Sequence, residues 1–408
     1  MLVRAVACVP LAAALLAGCA ETPVVTAKTA PPVAAPAAPD PVARLLQTGS
    51  ATDAEKAAAL YRQSCDRGVL MSCNSLAILY ELGSGVPLDL QKSAQIFQHA
   101  CDGGEQRACM NLAVMYDYGR GVPRDSARAV SEFRRGCAAD DAVACANLGA
   151  AYAQGRGVAV DGARAIQITD RACSLGSLDA CQNLGGFYGS GTFVPVDIDR
   201  AVKLSQKACD GGLAGGCNNL GESYRHGTGV PQDYARAREL LERACKGGST
   251  FGCTNLAKMH EGGLGMPRDL ARAAELYGAA CDPGGPKAYA AVASNGSFGT
   301  MVRCDAANLA SCGNGDAVAC LSLGLMHLEG RGVPENKARA MELFAKACDS
   351  ANDVGCYDLG ATIAGKSPTR QEAERALVPF TRSCELGNAE GCKVAQMIRD
   401  ALAAATAP

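Results

Sequence analysis

Tryptophan is absent from this 408-residue chain, and aromatic residues make up only 5% of it. That leaves no row of ring faces on which nucleobases stack, and only a modest platform for sugars. No long run of lysine or arginine occurs and the formal net charge is −2, so the basic footprint of a nucleic-acid binder is missing; we expect no nucleic-acid partner. Histidine is equally scarce: His99, His226, His260 and His327 are the full set. Neither Cys-x2-Cys nor a paired-histidine spacing is found, so we assign no metal ligands and no cofactor. Ser-x-x-Lys, Ser-Asp-Asn and Lys-Thr-Gly, the parts of a serine penicillin-hydrolysing site, are also absent, and no catalytic residue is assigned. Past the N-terminus no apolar stretch is long enough to cross a bilayer.

The N-terminus itself reads as an export signal. Arg4 supplies a positive start, Ala5 to Leu16 is mostly apolar, and the run ends in Leu16-Ala17-Gly18-Cys19. Small residues before a cysteine resemble the bacterial lipoprotein signal, which implies cleavage after residue 18 and a lipid on Cys19; an ordinary cleaved signal peptide is the alternative. Ala20 is not Asp, which by the sorting rule of that class implies the outer membrane, with the protein facing the periplasm or the surface. Residues 19–51 hold Pro23, Pro31, Pro32, Pro36, Pro39 and Pro41 among Ala, Val and Thr, a composition expected to form an extended tether.

Cysteine is the residue in excess, with 22 copies. Cys65, Cys101, Cys137, Cys173, Cys209 and Cys245 recur every 36 residues, and after one irregularity Cys312, Cys348 and Cys384 resume the period. Each is followed eight residues later by a second: Cys73, Cys109, Cys145, Cys181, Cys217, Cys253, Cys320, Cys356 and Cys392. A period of this size means stacked repeats, each one supersecondary unit. Regular cysteine pairs in an exported chain imply disulfides.

Each unit reads as two helices. In Gly216-Cys217-Asn218-Asn219-Leu220-Gly221-Glu222-Ser223-Tyr224, Cys, Leu and Tyr fall on one helical face, helix A. It stops in a glycine turn such as Gly119-Arg120-Gly121-Val122-Pro123. Asp89, Asp125, Asp161, Asp197, Asp233, Asp269 and Asn336 then stand as N-caps of a helix B, which closes on the first cysteine. Short loops make B and the next A antiparallel neighbours, so cysteines eight apart face one another across the junction.

The unit Cys-x-Asn-Leu-Gly-x-x-Tyr-x-x-Gly-x-Gly-Val-Pro-x-Asp-x-x-Arg-Ala resembles the Sel1-like repeat, a relative of the tetratricopeptide repeat, and the added Cys-x7-Cys resembles its cysteine-rich Hcp subset. The likeness covers residues 52–402 and leaves 403–408 as a tail. It implies an all-α fold, an α/α solenoid superhelix stapled by disulfides, with helices A lining a concave face. It also implies a protein or peptide partner. For some relatives it implies weak penicillin binding or hydrolysis, or a platform for envelope polysaccharide export.

Two irregularities stand out. Between Cys281 and Cys312 the interval shrinks, and Tyr289 occupies the expected cysteine position, as in a degenerate repeat. With Cys312 assigned to Cys320, Cys281 is expected to pair with the extra Cys304, a pair of free thiols being the alternative. Phe193 replaces the second glycine of its turn. Gly360 to Ser367 also fits the phosphate-loop pattern Gly-x4-Gly-Lys-Ser, but its register places it inside a helix A and the following turn, where carbonyls rather than amides are free.

Asn111, Asn147, Asn183, Asn219 and Asn255 recur two residues after the helix A cysteine. An inward amide supplies a donor and an acceptor to extended peptide backbone, so these five are candidate peptide-binding residues. Bonding between neighbouring helices explains the same recurrence.

Overall fold

The computed structural model describes residues 41–48, 50–282 and 316–404. Cys19, Cys304 and Cys312 lie outside the described residues, as does the irregular segment around Tyr289. The chain divides into two units, Met1–Asp40 and Pro41–Pro408. The second is entirely helical among its described residues: α1 (Pro41–Gln47), α2 (Ala51–Asp66), α3 (Leu70–Leu82), α4 (Leu90–Asp102), α5 (Gln106–Tyr118), α6 (Ser126–Ala138), α7 (Ala142–Gln154), α8 (Gly162–Ser174), α9 (Leu178–Ser190), α10 (Ile198–Asp210), α11 (Ala214–His226), α12 (Tyr234–Lys246), α13 (Thr250–Gly262), α14 (Leu270–Cys281), α15 (Ala317–Glu329), α16 (Lys337–Asp349), α17 (Asp353–Ala364), α18 (Arg370–Glu385) and α19 (Ala389–Ala404). From α3 onward the odd-numbered helices are A and the even-numbered B. The helical unit opens earlier than its proline content suggests: α1 lies within the stretch 19–51 expected as tether, with Pro41 at its first position, where a missing N–H costs nothing.

Local chemistry sets the boundaries. Asp89, Asp125, Asp161, Asp197, Asp233, Asp269 and Asn336 each accept a backbone N–H three residues on, capping the B helices. The A helices end on glycines in the left-handed region, from Gly83 at φ 65° to Gly330 at φ 67°. The second glycine of each turn is held by a close approach: a Cβ on Gly121 or Gly157 would run into the first-turn carbonyl of the preceding B helix, Leu90 or Ser126. Phe193 breaks this rule at φ 68° because the facing residue is Gly162, whose missing side chain leaves room for the ring. The ring also meets Phe187 edge-on, with centroids 5.7 Å apart.

Packing follows chain order, each helix lying against the next, with Phe97, Phe133, Leu184, Leu241, Tyr277 and Phe344 fully buried between them. Eight disulfides join cysteines eight apart, from Cys65–Cys73 to Cys384–Cys392. The ninth corrects the sequence reading. Cys281 bonds Cys320 across 39 residues, so neither the Cys281–Cys304 pair nor the Cys312–Cys320 pair forms. The junction itself is regular: Asp316 N–H donates to Ala280 C=O at 2.9 Å, as Ser249 does to Ala244 and Asn352 to Ala347. Helix α14 packs directly on α15. The irregular segment therefore adds 31 residues (39 − 8) between a B helix and an A helix that join as the others do, and the stack continues across it.

Candidate functional site

A helix turns about 100° per residue, so Cys253, Leu256 and Ala257 share the buried side of α13 while Phe251, Asn255, Lys258 and Gly262 form the opposite stripe. That stripe, repeated on every A helix, contains the five candidate asparagines.

The structure splits them. Asn111 donates from Nδ2 to Asn74 Oδ1 at 2.9 Å, and Asn255 likewise to Asn218 Oδ1 at 3.0 Å. In both cases the acceptor directly follows the disulfide cysteine of the previous A helix. Asn219 accepts from Asn218 at 3.3 Å. Two of the five are thus committed to holding repeats together. Asn147 is different. Its side of the pair is answered by Met110, which offers no acceptor, and its Nδ2 is left without a partner although the residue is only 6% exposed. Asn183 faces Ala146 and is exposed. Asn147 and Asn183, on the consecutive A helices α7 and α9, are the two of the five for which no side-chain hydrogen bond is found among the described residues.

Asp179 lies one helical turn before Asn183 on the same stripe. Burial pushes its carboxyl up from 3.8 to about 6, only partly offset by its own backbone N–H. The folded value lies above the unfolded one, so well below 3.8 both states are protonated and no penalty exists there. Between 3.8 and about 6 the unfolded chain ionises first and the native state loses on the order of 2–3 kcal/mol once its partial exposure is allowed for, a loss complete above 6. Asp179→Asn is expected to raise stability at pH 7 by about 2–3 kcal/mol and to flatten the pH 4–6 stability profile, as read from urea midpoints. An unchanged profile would show that the carboxylate is solvated. Burial also raises Asp358, which occupies the asparagine position of α17.

A set of residues not anticipated from sequence joins the other edge of the A helices. Arg120, in the glycine turn after α5, reaches back to Glu81 near the end of α3 at 2.6 Å; the side chains are 5% and 0% exposed. Arg156 meets Asp117 in the same way one repeat later. Arg331 meets Glu261 at 3.0 Å across the insertion, and Tyr277 donates to the same carboxylate at 2.8 Å. Burial first, then that bond, holds the Tyr277 phenol above its usual range. A signal was present in the sequence: Glu81–Arg120 and Asp117–Arg156 are each 39 residues apart, Glu261–Arg331 is 70 apart because residues 283–315 intervene, and where the acid is Ala153 or Gly189 the turn holds Thr192 or Thr228 instead of arginine.

Among the described residues no group of His, Cys, Asp and Glu is gathered to hold a metal ion. His260 and His327 occupy the tyrosine position of the repeat, partly buried, and burial lowers the His260 imidazole. The phosphate-loop pattern lies across the end of α17, with Gly365 just past its last turn, where carbonyls face outward.

A Sel1 repeat model matches residues 42–69, 70–105, 106–141, 142–177, 178–213, 214–249, 250–284 and 317–352, skipping the insertion. No curated protein matches the sequence. Among solved structures, a Sel1 repeat protein from Oxalobacter formigenes is 27% identical over 58% of this chain and 96% of its own, with a TM-score of 0.51. A protective antigen of uropathogenic Escherichia coli is 21% identical over 88% and 91% of the two chains (TM-score 0.44). Cysteine-rich protein B of Helicobacter pylori is 28% identical over 32% and 93% (TM-score 0.27). Nine disulfides in the described residues are the mark of an oxidising compartment, and no described helix is long and apolar enough to cross a membrane. The repeat period, the paired helices and the family match over most of the described residues agree: the chain belongs to the Sel1 repeat family.

Proposed function

We propose that the protein is an exported scaffold, anchored by lipid at Cys19 in the outer membrane, which holds an extended protein or peptide segment against the stripe of its A helices. The observation that carries this reading is the split within the asparagine ladder. Asn111 and Asn255 satisfy the fold, whereas Asn147 keeps a buried, unanswered amide and Asn183 an exposed one. Buried polar groups without partners are rare and costly, so the Asn147 amide gains a bond if its side chain turns outward to a ligand, while Asn183 is already open to one. Sel1 repeats are protein-interaction scaffolds, and the solenoid presents one stripe per repeat to a long partner.

The test compares two double variants. Asn111→Ala with Asn255→Ala leaves the acceptors of Asn74 and Asn218 unsatisfied, which is expected to cost about 1–2 kcal/mol per site. Asn147→Ala with Asn183→Ala is expected to leave the urea midpoint within about 0.5 kcal/mol and to reduce recovery of the native partner from membrane extracts at least fivefold. Equal recovery with Asn147 and Asn183 changed would remove the ladder from the binding account. The anchor has its own check: Cys19→Ala should release the protein from the membrane fraction, and retention there would contradict lipidation.

A further inference from the structure

Between α7 and α9 the A-helix face holds a carboxylate, in the first turn of α9, with no cationic side chain against it among the described residues. Beyond its own backbone N–H, no described group meets the Asp179 carboxylate. From α7 the stripe brings Val143, Asn147 and Ala150, and from α11 it brings Gly215, Asn219 and Glu222, none of them basic. The Arg225 guanidinium is taken by Glu222 at 2.6 Å. The floor beside Asp179 is also unusually low. In the next repeat the Gln182 side chain fills the place that a Cβ on Gly215 would need, so the residue after each cysteine lies beneath the stripe of the following helix. Under Asp179 and Asn183 that residue is Ala146, where other repeats have Asn74, Met110, Gln182 or Asn218. A notch results, walled by a carboxylate and an amide.

Further along, the same stripe turns apolar. Phe251 on α13, Val318 on α15 and Val354 on α17 occupy one repeat position and are 64%, 41% and 42% exposed. Three consecutive A helices thus present an apolar side chain at matching places, where α9 presents Asp179. Side chains bond directly from one A helix to the next, as Asn111 does to Asn74 and Asn255 to Asn218, which puts consecutive A helices on the order of 10 Å apart; an extended chain advances about 3.3 Å per residue, so one A helix corresponds to roughly three residues of ligand.

We propose that this face binds one extended segment carrying a cationic side chain in the Asp179 notch and apolar side chains over Phe251, Val318 and Val354, spaced about six, three and three residues apart by the estimate above. The inference rests on the groove reading and adds the chemistry of the partner. The exposed Asn183 flanks the cation and bonds the backbone beside it. Burial of a lone carboxylate costs the free protein stability, and an incoming ammonium removes that cost.

The probes are N-acetylated random 16-residue peptide pools, made in both chain orders, with fixed lysine and leucines at that spacing. One companion pool replaces lysine with norleucine, and another replaces the leucines with serine. The lysine–leucine pool is expected to bind at least tenfold tighter than either companion. Asp179→Asn should erase only the lysine advantage, and Phe251→Ser should reduce only the leucine advantage; both positions tolerate polar side chains, and circular dichroism confirms folding. Equal binding of lysine and norleucine pools, or a lysine advantage that survives Asp179→Asn, overturns the proposal while the groove reading stands. If no pool binds, both fall.

Discussion

Replacing Arg120 with methionine is expected to destabilise the N-terminal repeats by about 3–5 kcal/mol. The change breaks a buried ion pair: Glu81 is wholly buried, and the guanidinium it loses lies 2.6 Å from its carboxylate. Replacing both partners, Arg120→Met with Glu81→Leu, is expected to recover most of the loss, because the pair's desolvation penalty disappears along with its attraction. Urea unfolding followed by hydrogen exchange on α3 and α5 separates the outcomes. A single variant as stable as the parent would mean that the Glu81 carboxylate does not depend on Arg120.

The second large effect concerns the insertion. Cross-linking restricts the unfolded chain more when the closed loop is longer. Cys281–Cys320 spans 39 residues where the others span 8, which gives about 3.9 kcal/mol against about 2.5 in the chain-entropy model. Cys281→Ala with Cys320→Ala should therefore cost about 1.4 kcal/mol more than Cys245→Ala with Cys253→Ala. The damage should also be directional. Thr254 donates to Asp316 at 2.6 Å and Arg331 to Glu261, so loosening this junction weakens the coupling of α13 and α14 to everything from α15 onward. Repeats that touch only their neighbours then unfold as two blocks, seen as two transitions in place of one. Equal costs for the two disulfides would contradict the assignment.

The parts of the fold legible in the sequence were those carried by local chemistry repeated in register. The N-cap aspartates, the terminating glycines and the cysteines eight apart each announce one element boundary, and repetition makes them unambiguous. Cys281 was misread for a related reason. Cys312 happens to stand eight residues before Cys320 and so imitates the repeat spacing, whereas the true partner is set by which helix packs on α14. The Glu81–Arg120 and Asp117–Arg156 pairs were hidden because they join neighbouring repeats, and a consensus read within one unit averages such couplings away. Phe193 looked like a defect until Gly162 was seen facing it. The asparagine ladder was visible as a row, but whether each amide is consumed depends on the side chain one repeat earlier: Asn74 for Asn111, Met110 for Asn147, Ala146 for Asn183.

Peptide mapping of unreduced protein, cleaved on either side of residues 283–315, decides the architecture on which the binding face depends. The stack continues across the insertion only if α14 and α15 are joined as any other B and A helices are. The map is predicted to contain a peptide linking Cys281 to Cys320 beside the eight links between cysteines eight apart. A Cys312–Cys320 link, or Cys281 recovered bound to Cys304, would instead place a separate repeat between α14 and α15 and break the continuous face from Asp179 to Val354.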